Sequence, residues 1–384
     1  MRLSSPFSVN SYTSRFFLIA DLETLTFNNS NSGHKSINTS GLTDRQGINN
    51  IIDESNQKRQ GNKEVFDVAI IGGGFSGLSA ALLLGRYLRQ TVIFDSGPTR
   101  NSRSKHVHAY LGFENSSPTE LIQKAWKDVL QYDSIKVVRE KVVKAEMIPN
   151  NDSTSYFILS THLGHSKIKA RYLIIATGVQ DSRPNVRNFE MFEGNSAWHC
   201  PHCDGFQSIN KKLAIVVNGK NAISYAKEFL GWTRDITVFI QGKYELTDKD
   251  REDAETLGFK IIKDDDIIEI SGDRNGHVEQ ITCQSGRSYE AEIIFYHLGY
   301  KVQNQIATEL GCKLDEEEGF IKVNSLQQTT VPNVYAIGDV DTDRHFIVFG
   351  VAGGVVAAIS IYERLLKDAI RDTKIKDTKT RTIT

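Results

Sequence analysis

Residues 66–77 read FDVAIIGGGFSG, an apolar run that ends in a glycine cluster of the form G-x-G-x-x-G. The run is short and rich in isoleucine and valine, which is typical of a buried strand. Apolar residues then recur at helical spacing over 78–89, and a second strand-like run, 91–94, ends in Asp95. Strand, glycines, helix, strand and acid stand in the order of a dinucleotide-binding βαβ unit. The alternative is a glycine-rich turn in an ordinary α/β unit.

Each member of this motif has a physical role in holding a dinucleotide. Gly72 permits the tight turn, Gly74 lets the backbone approach the pyrophosphate, and Gly77 lets helix and strand pack closely. The phosphates are expected at the helix N-terminus, where free N–H groups and the helix dipole favour negative charge. Asp95 is expected to accept hydrogen bonds from a ribose hydroxyl, and Arg100 to contact the ribose or the phosphates.

Two later segments bear on which dinucleotide is bound. Residues 172–178 read YLIIATG, a strand that ends in a small-residue turn at Gly178. Residues 333–339 read NVYAIGD, another strand, and an apolar helix buried on all sides is predicted over 346–362. An A-T-G turn followed late in the chain by strand, Gly-Asp and helix resembles the flavoproteins that carry two dinucleotide domains.

That resemblance implies FAD as the cofactor, with Gly178 among the residues near it. It implies that Gly338 brings the backbone close to the ribityl chain, and that Asp339 bonds a ribityl hydroxyl or a nearby phosphate. The alternative for Asp339 is a helix N-cap. His345 stands just before the late helix, whose N-terminus would face the flavin and stabilise negative charge on the reduced ring. The alternative for His345 is a loop residue.

The most specific segment is CPHCDGF, residues 200–206. Two cysteines three positions apart can switch between a dithiol and a disulfide, and a nearby helix N-terminus or imidazole favours the thiolate. A redox-active disulfide between Cys200 and Cys203 is therefore predicted. The alternatives are a zinc site completed by His199, His202 or a distant cysteine, and inert buried thiols. The sequence has no second C-x-x-C, and Cys283 and Cys312 are interpreted as structural.

The same segment, between an A-T-G turn and a second nucleotide-binding-like unit, resembles the low-molecular-weight thioredoxin reductases. The resemblance covers about residues 65–366. It implies that Cys203 exchanges electrons with the flavin, that Cys200 exchanges with the substrate, and that Asp204 is the acid/base. Burial that raises its pKa would suit a carboxylate to that role; the alternative for Asp204 is a helix cap.

The fold class that follows is α/β, with two interleaved Rossmann-like domains. The FAD domain is expected to comprise 65–182 and 299–366. The inserted domain, 183–298, resembles a nicotinamide domain and carries the C-x-x-C pair. Crossover hinges are expected at 177–178 and 298–299, about which related reductases rotate the inserted domain. The relatives also imply a homodimer.

The inserted domain departs from the reductase pattern where NAD(P)H would bind. Val217 stands where the first glycine of G-x-G-x-x-A is needed, and only Gly219 and Ala222 match. The next strand leads into Gln241 and Gly242 in place of the basic clamp for a 2′-phosphate. These losses resemble the dithiol oxidase branch of the family, of the gliotoxin and holomycin type, which passes electrons to oxygen.

Three functional hypotheses follow. The first is a reductase that passes electrons from NAD(P)H through FAD to a thioredoxin-like protein. The second is an oxidase that takes electrons from a small dithiol and passes them to oxygen. The third, not an enzyme, is a thiol redox sensor. Pro201 is typical of the oxidases, whereas Asp204 is typical of the reductases. His106 and His108 are expected near the flavin, as proton relays or as surface residues.

Composition excludes several other classes. The chain has 384 residues, with 46 Lys and Arg against 47 Asp and Glu, so no excess of positive charge favours a nucleic-acid partner. No membrane span and no resident metal are predicted. Residues 1–64 are expected to be a disordered extension and 367–384 a flexible tail. A cytoplasmic location is expected from the reducible thiols, with organelle import through residues 1–20 as the alternative.

Overall fold

The computed structural model describes residues 65–149, 155–164 and 167–382. The predictions for residues 1–64, including organelle import, lie outside this part of the chain. The larger sheet is formed by β1 (Phe66–Ile71), β2 (Thr91–Phe94), β3 (Ile135–Val138), β4 (Val142–Pro149), β5 (Ser155–Thr161), β6 (Lys167–Ile175) and β17 (Val334–Ala336). Its strand order is β3-β2-β1-β6-β5-β4, and β17 pairs with the second half of β6.

The second sheet is parallel throughout and has the order β11-β10-β9-β15-β8. Its strands are β8 (Ala197–Trp198), β9 (Leu213–Asn218), β10 (Ile236–Gln241), β11 (Lys260–Lys263) and β15 (Ile293–His297). An antiparallel sheet packs beside it, formed by β12 (Ile267–Gly272), β13 (Val278–Cys283) and β14 (Ser288–Glu290). The larger sheet draws strands from both sides of this inserted segment, which confirms the predicted α/β class with two interleaved Rossmann-like units.

Both chain crossings between the two large sheets run in one antiparallel ribbon. It is formed by β7 (Val179–Asp181) and β16 (Tyr300–Val302). The hydroxyl of Thr177 donates to the carbonyl of Gln303 at 2.6 Å and joins the two crossings at one end. The expected hinges at 177–178 and 298–299 therefore adjoin a shared two-stranded connection.

The helices cover the faces of the sheets, because parallel strands are apolar on both sides. They are α1 (Phe75–Arg86), α2 (Pro118–Leu130), α3 (Phe189–Phe192), α4 (Pro201–Asp204), α5 (Ala222–Lys227), α6 (Asp248–Leu257), α7 (Gln305–Glu309) and α8 (Ile347–Thr382). α1, predicted over 78–89, begins three residues earlier, and Leu88 lies beyond its end, 79% exposed. Trp126 of α2 and Leu84 of α1 pack in the core under the larger sheet.

The last helix differs from the sequence prediction in two ways. It is not buried on all sides, because one face of the described residues is solvent-exposed in this chain: Val348, Phe349, Val355, Ile359, Leu366 and Ile370. Its backbone also continues as helix through Thr382, where a flexible tail was expected from 367. Asp368 helps to hold that extension, since it accepts a hydrogen bond from Arg171 of β6 at 2.8 Å.

By length and composition alone, Ile347–Arg371 could cross a membrane. The opposite face of the same helix packs in the protein core, where Ala357, Ala358, Ile361 and Leu365 are almost fully buried. A core helix of a large domain has this composition too. The absence of a membrane role stays a prediction.

Candidate active site

The glycine loop between β1 and α1 has the geometry expected of a phosphate-binding turn. Gly72 has φ +116°, and a Cβ at this position would lie 2.2 Å from the carbonyl oxygen of Ala176. A Cβ on Gly77 would lie 2.0 Å from the carbonyl oxygen of Gly72. Gly74 instead faces open space, with nothing within 4 Å of a Cβ. Turn, packing and open approach are thus divided among the three glycines as the motif requires.

Asp95 directly follows β2 beside this loop, and its carboxylate is bonded within the chain. Oδ1 accepts from the backbone N–H of Gly73 at 3.3 Å, and Oδ2 pairs with Arg139. The side chain is buried, and burial raises the pKa of Asp95 against the opposing effects of Arg139 and the Gly73 N–H. Its role toward a ribose stays a prediction.

Arg100 joins two carboxylates from distant parts of the chain. It makes a bidentate pair with Asp181, with Nε and Nη2 donating at 2.7 and 2.6 Å, and Nη1 donates to Asp339 at 3.0 Å. Burial acts to raise the pKa of the Asp181 carboxyl, but the hydrogen bonds and charge of Arg100, together with the nearby His199 and His345, outweigh it and hold this pKa below its ordinary value. The predicted cofactor residues Arg100 and Asp339 therefore contact each other.

The expected flavin side of the site is formed by Gly338 and His345. Gly338 has φ +80°, and a Cβ there would lie 2.6 Å from Oγ of Ser76 on α1. His345 lies just before α8, with its ring against Tyr300, and burial lowers its pKa. Its Nε2 is buried and has no hydrogen-bond partner. A buried imidazole nitrogen without a partner is the kind of group that a bound cofactor satisfies.

The redox pair is formed as predicted. Cys200 and Cys203 are joined by a disulfide, with their Cα atoms 5.3 Å apart. Cys200 caps the N-terminus of α4, and its Sγ accepts from the backbone N–H of Cys203 at 3.1 Å. Pro201 suits the first helical position, where no N–H is needed. When the pair is reduced, this N–H favours the thiolate of Cys200. Cys283 and Cys312 are free and buried.

Asp204 follows the pair and is 8% exposed. Burial raises its pKa to about 7, against the lowering effect of His108, whose Nε2 lies 3.9 Å from Oδ1. A carboxyl with this pKa exchanges a proton near neutral pH, which is the requirement for an acid/base group. The sequence prediction for Asp204 is thereby supported by its environment, while its catalytic role stays a prediction.

All but one of the predicted site residues line one cavity of about 1220 Å³. They are Gly72, Gly74, Asp95, Arg100, Gly178, Cys200, Cys203, Asp204, Gly338, Asp339 and His345. Gly77 lies behind the loop, where its role is packing. The open approach at Gly74 and the unpartnered nitrogen of His345 fit a dinucleotide with a flavin ring near α8. When bound, FAD supplies a two-electron acceptor and donor for the disulfide.

The corresponding loop of the inserted domain is different. β9 ends at Asn218, one 3-10 turn follows, and α5 has only six residues. A Cβ on Gly219 would lie 3.4 Å from Cδ2 of Tyr244, so the Tyr244 ring packs against the turn. The open approach at Gly74 thus has no counterpart at Gly219.

Comparison with known proteins agrees with this site. The sequence profile described as pyridine nucleotide-disulphide oxidoreductase matches residues 66–359. The chain belongs to this family. "Thioredoxin reductase sirT" of Leptosphaeria maculans is 27% identical to this oxidoreductase over 308 residues, which is 77% of this chain and 93% of that protein. "Thioredoxin reductase tcpT" of Claviceps purpurea is 27% identical over 79% of this chain and 95% of that protein.

Solved structures extend the likeness of this oxidoreductase to the whole fold. HlmI superposes with a TM-score of 0.76 at 25% identity, covering 84% of this chain and 99% of HlmI. A putative thioredoxin reductase TrxB from Bacillus anthracis gives a TM-score of 0.70 at 25% identity, covering 79% and 99%. The predicted family is confirmed. The protein is a thioredoxin reductase-like, flavin-dependent disulfide oxidoreductase, and FAD is the cofactor that the family implies.

Three charged residues of this oxidoreductase were missed by sequence reasoning. Asp181 pairs with Arg100, and Glu114 contacts His108. No spacing signal marks either one. Arg139, which pairs with Asp95, directly follows β3, the strand next to β2 in a parallel sheet. Because parallel strands end at the same edge, a predicted strand order would have placed Arg139 near Asp95.

Proposed function

We propose that this oxidoreductase is an oxygen-dependent dithiol oxidase with a vestigial nicotinamide site. The observation that carries the proposal is the packing of Tyr244 against Gly219. A nicotinamide dinucleotide needs a glycine turn whose backbone its pyrophosphate can approach, followed by a helix N-terminus. Here a tyrosine ring lies beside that turn. After β10 stand Gln241, Gly242 and Lys243, with no pair of arginines to clamp a 2′-phosphate, which supports the same conclusion.

The substrate proposed is a small dithiol. Cys200 and Cys203 are only partly exposed and line the same cavity as the cofactor loop. A small molecule can enter such a cavity without any rotation of the inserted domain, whereas a protein partner would need that rotation to bring the disulfide to the surface. The relatives' names support the other candidate, in which NAD(P)H reduces the protein and a thioredoxin-like protein is the partner.

The proposed chemistry is thiol–disulfide exchange at this pair. A substrate thiolate attacks Sγ of Cys200, the S–S bond breaks, and Cys203 leaves as a thiolate. The second substrate thiolate attacks the substrate sulfur of this mixed disulfide and releases Cys200. Asp204 takes up a proton from a substrate thiol. The net reaction converts one dithiol and one O₂ into one disulfide and one H₂O₂.

Anaerobic titration of the FAD-loaded protein tests the proposal. NADPH, NADH and dithiothreitol are added separately, and the absorbance of oxidised flavin is followed. Bleaching by dithiothreitol alone, with colour restored and H₂O₂ formed on admission of air, is the expected result. Rapid bleaching by either nicotinamide nucleotide would contradict it and favour the reductase. Bleaching by dithiothreitol without turnover in air would favour the thiol sensor.

The assembly and location are proposed on the resemblance to relatives and on composition. We propose a homodimer in the cytoplasm. The exposed apolar residues of α8, among them Phe349 and Ile370, support the dimer, because a second copy could cover this apolar face. Light scattering of the purified protein tests the dimer, for which a mass near 43.1 kDa would be the contrary result.

A further inference from the structure

Residues 106–116, the histidine loop, belong to the cofactor domain and approach the redox segment through His108, which lies near Asp204. The loop closes on itself through an antiparallel bridge between Val107 and Ser116. Ala109 has φ +57°, a left-handed conformation that costs a residue with a Cβ about 1 kcal/mol or more. Its N–H donates to Oε2 of Glu114 at 2.9 Å. The strained backbone thus fixes a carboxylate inside the loop.

That carboxylate also fixes His108. Nδ1 of His108 lies 2.6 Å from Oε1 of Glu114, so this nitrogen carries a proton and donates. In the neutral ring the proton on Nδ1 leaves Nε2 as an acceptor. Nε2 is the nitrogen that faces Asp204, 3.9 Å from Oδ1. A movement of about 1 Å would bring the two atoms to hydrogen-bond distance.

Asp204 and His108 are largely buried, and Glu114 is exposed to solvent. The side chains of Asp204 and His108 are each 11% exposed, whereas that of Glu114 is 56% exposed. Asp204 lies beside the disulfide, and Glu114 is in contact with water. His108 is the polar connection between them.

We propose that His108, oriented by Glu114, relays the proton of Asp204 to solvent. The proposal rests on the thiol chemistry proposed above. Asp204 becomes protonated when it takes the proton of the substrate thiol. Its O–H bond breaks as an N–H bond forms at Nε2 of His108, and the proton on Nδ1 passes to Glu114 and on to water. No electrons move in this step, and Asp204 is returned as a carboxylate.

Other charges around the relay belong to separate pairs. The ring of His106 lies 6.2 Å from that of His108, and its Nδ1 contacts the carbonyl of Asn115. On the α4 side, His202 is directed to Glu228 of the segment after α5, at 3.9 Å. His108 and Glu114 are positioning residues, because they act through Asp204.

The test compares His108→Gln and Glu114→Gln with His277→Gln. His277 is a matched control, since its Nδ1 also contacts a carboxylate, Asp273, at 2.9 Å in an exposed turn that does not line the cavity. The anaerobic rate of reduction by dithiothreitol is measured from pH 5.5 to 9 and divided by the wild-type rate, which cancels the titration of dithiothreitol. Circular dichroism checks the fold, and Glu114→Gln, at an exposed site, keeps the test available should His108→Gln unfold.

At acidic and neutral pH the reacting thiol of dithiothreitol holds its proton, which Asp204 must take up and His108 pass on, whereas at alkaline pH the thiol ionises in water and needs neither group. Loss of the relay should therefore lower the rate ratio for His108→Gln to about one-tenth at acidic pH, and the ratio should approach one at alkaline pH. Glu114→Gln should lower the ratio over the same pH range by less, and His277→Gln should give a ratio of one throughout. A ratio for His108→Gln that is reduced equally at all pH values, or that stays at one, overturns the relay.

A second readout does not depend on turnover. In the Cys203→Ser background, the rate at which iodoacetamide alkylates Cys200 is measured against pH, with and without His108→Gln. The contact between His108 and Asp204 affects the ionisation of Asp204, and the charge of Asp204 acts on the nearby Cys200 thiolate. The proposal therefore predicts a shifted profile, and coincident profiles contradict it. Should the wild type be reduced by NADPH alone, the proposed function fails, and this alkylation profile still decides the relay.

Discussion

Nη1 of Arg100 donates to Oδ2 of Asp339 at 3.0 Å across 239 residues of sequence. The contact joins the loop after β2 to the residues that follow β17. In the sequence, these two segments lie before and after the inserted domain. The other nitrogens of the same guanidinium hold Asp181 on β7. One side chain thus joins three segments that line the cofactor cavity.

Arg100→Gln should lower the free energy of unfolding by about 2–3 kcal/mol, because Asp181 and Asp339 are left without a cation in a partly buried place. Urea unfolding measures this change. Arg103→Gln is the matched control, since Arg103 is 53% exposed and its partner Glu193 keeps a second cation, Arg183. A loss of about 1 kcal/mol or less is expected there. Equal losses of unfolding free energy in the two variants would show that Arg100 does not hold the three segments together.

The stabilisation by Arg100 should depend on pH in a defined direction. The folded-state pKa of Asp181 is lowered, so its contribution is complete above the unfolded-state pKa of about 3.9 and is lost as pH falls through the lower folded-state value. The gap in unfolding free energy between wild type and Arg100→Gln should be largest near pH 7. It should narrow as pH falls, because burial without Arg100 raises the pKa of Asp181 in the variant and lets this carboxyl take up a proton at a higher pH. A gap that widens on acidification would show that the pair does not hold Asp181 charged.

Asp204→Asn should remove activity and add stability. Thiol turnover should fall by about 10²-fold or more, since a general acid/base group is lost. The folded-state pKa of Asp204 is raised to about 7, so ionising it costs stability as pH rises from about 4 to about 7. Asparagine avoids that cost, and the variant should be more stable at pH 8 by up to about 4 kcal/mol.

Thermal melts at pH 5 and pH 8 measure this difference, which should be larger at pH 8. Asp273→Asn, in the exposed turn with His277, should leave turnover unchanged. An Asp204→Asn protein that is less stable than wild type at pH 8 would show that the carboxylate is satisfied in the folded state.

Cys203→Ser should keep FAD bound and abolish thiol turnover, because no disulfide can form with Cys200. Flavin absorbance after gel filtration reports retention, and consumption of dithiol reports turnover. Cys312→Ser is the control, since Cys312 is a free thiol whose Sγ contacts Thr329 at 3.5 Å away from the cavity. Retained turnover in Cys203→Ser would remove the redox role from the pair.

The sequence predicted the parts of the fold and site that rest on local patterns. The glycine turn at Gly72 and the disulfide of Cys200 could be predicted because the chemistry needs those residues at fixed spacing. The exposure of α8 could not, because an uncharged run such as IVFGVAGG is compatible both with full burial and with one exposed face.

Contacts between distant segments could not be predicted either. Arg100 was assigned to the cofactor because it follows the second strand, and nothing in the sequence shows that Asp181 and Asp339 converge on it. Nothing in the sequence marks Glu114, because its contact with His108 depends on the left-handed backbone of Ala109, whose N–H binds the Glu114 carboxylate. Such contacts depend on tertiary geometry, which spacing in the sequence does not encode.

The ribbon of β7 and β16 constrains how the inserted domain can move. Because both crossings are hydrogen-bonded to each other, they must twist as one unit, and the domain has in effect a single torsional axis rather than two independent swivels. Asp181 lies on that axis and is also 3.8 Å from His199, which precedes the redox pair. A twist large enough to carry the disulfide away from the cavity would separate these two groups, so the domain angle and the electrostatic field at Arg100 change together.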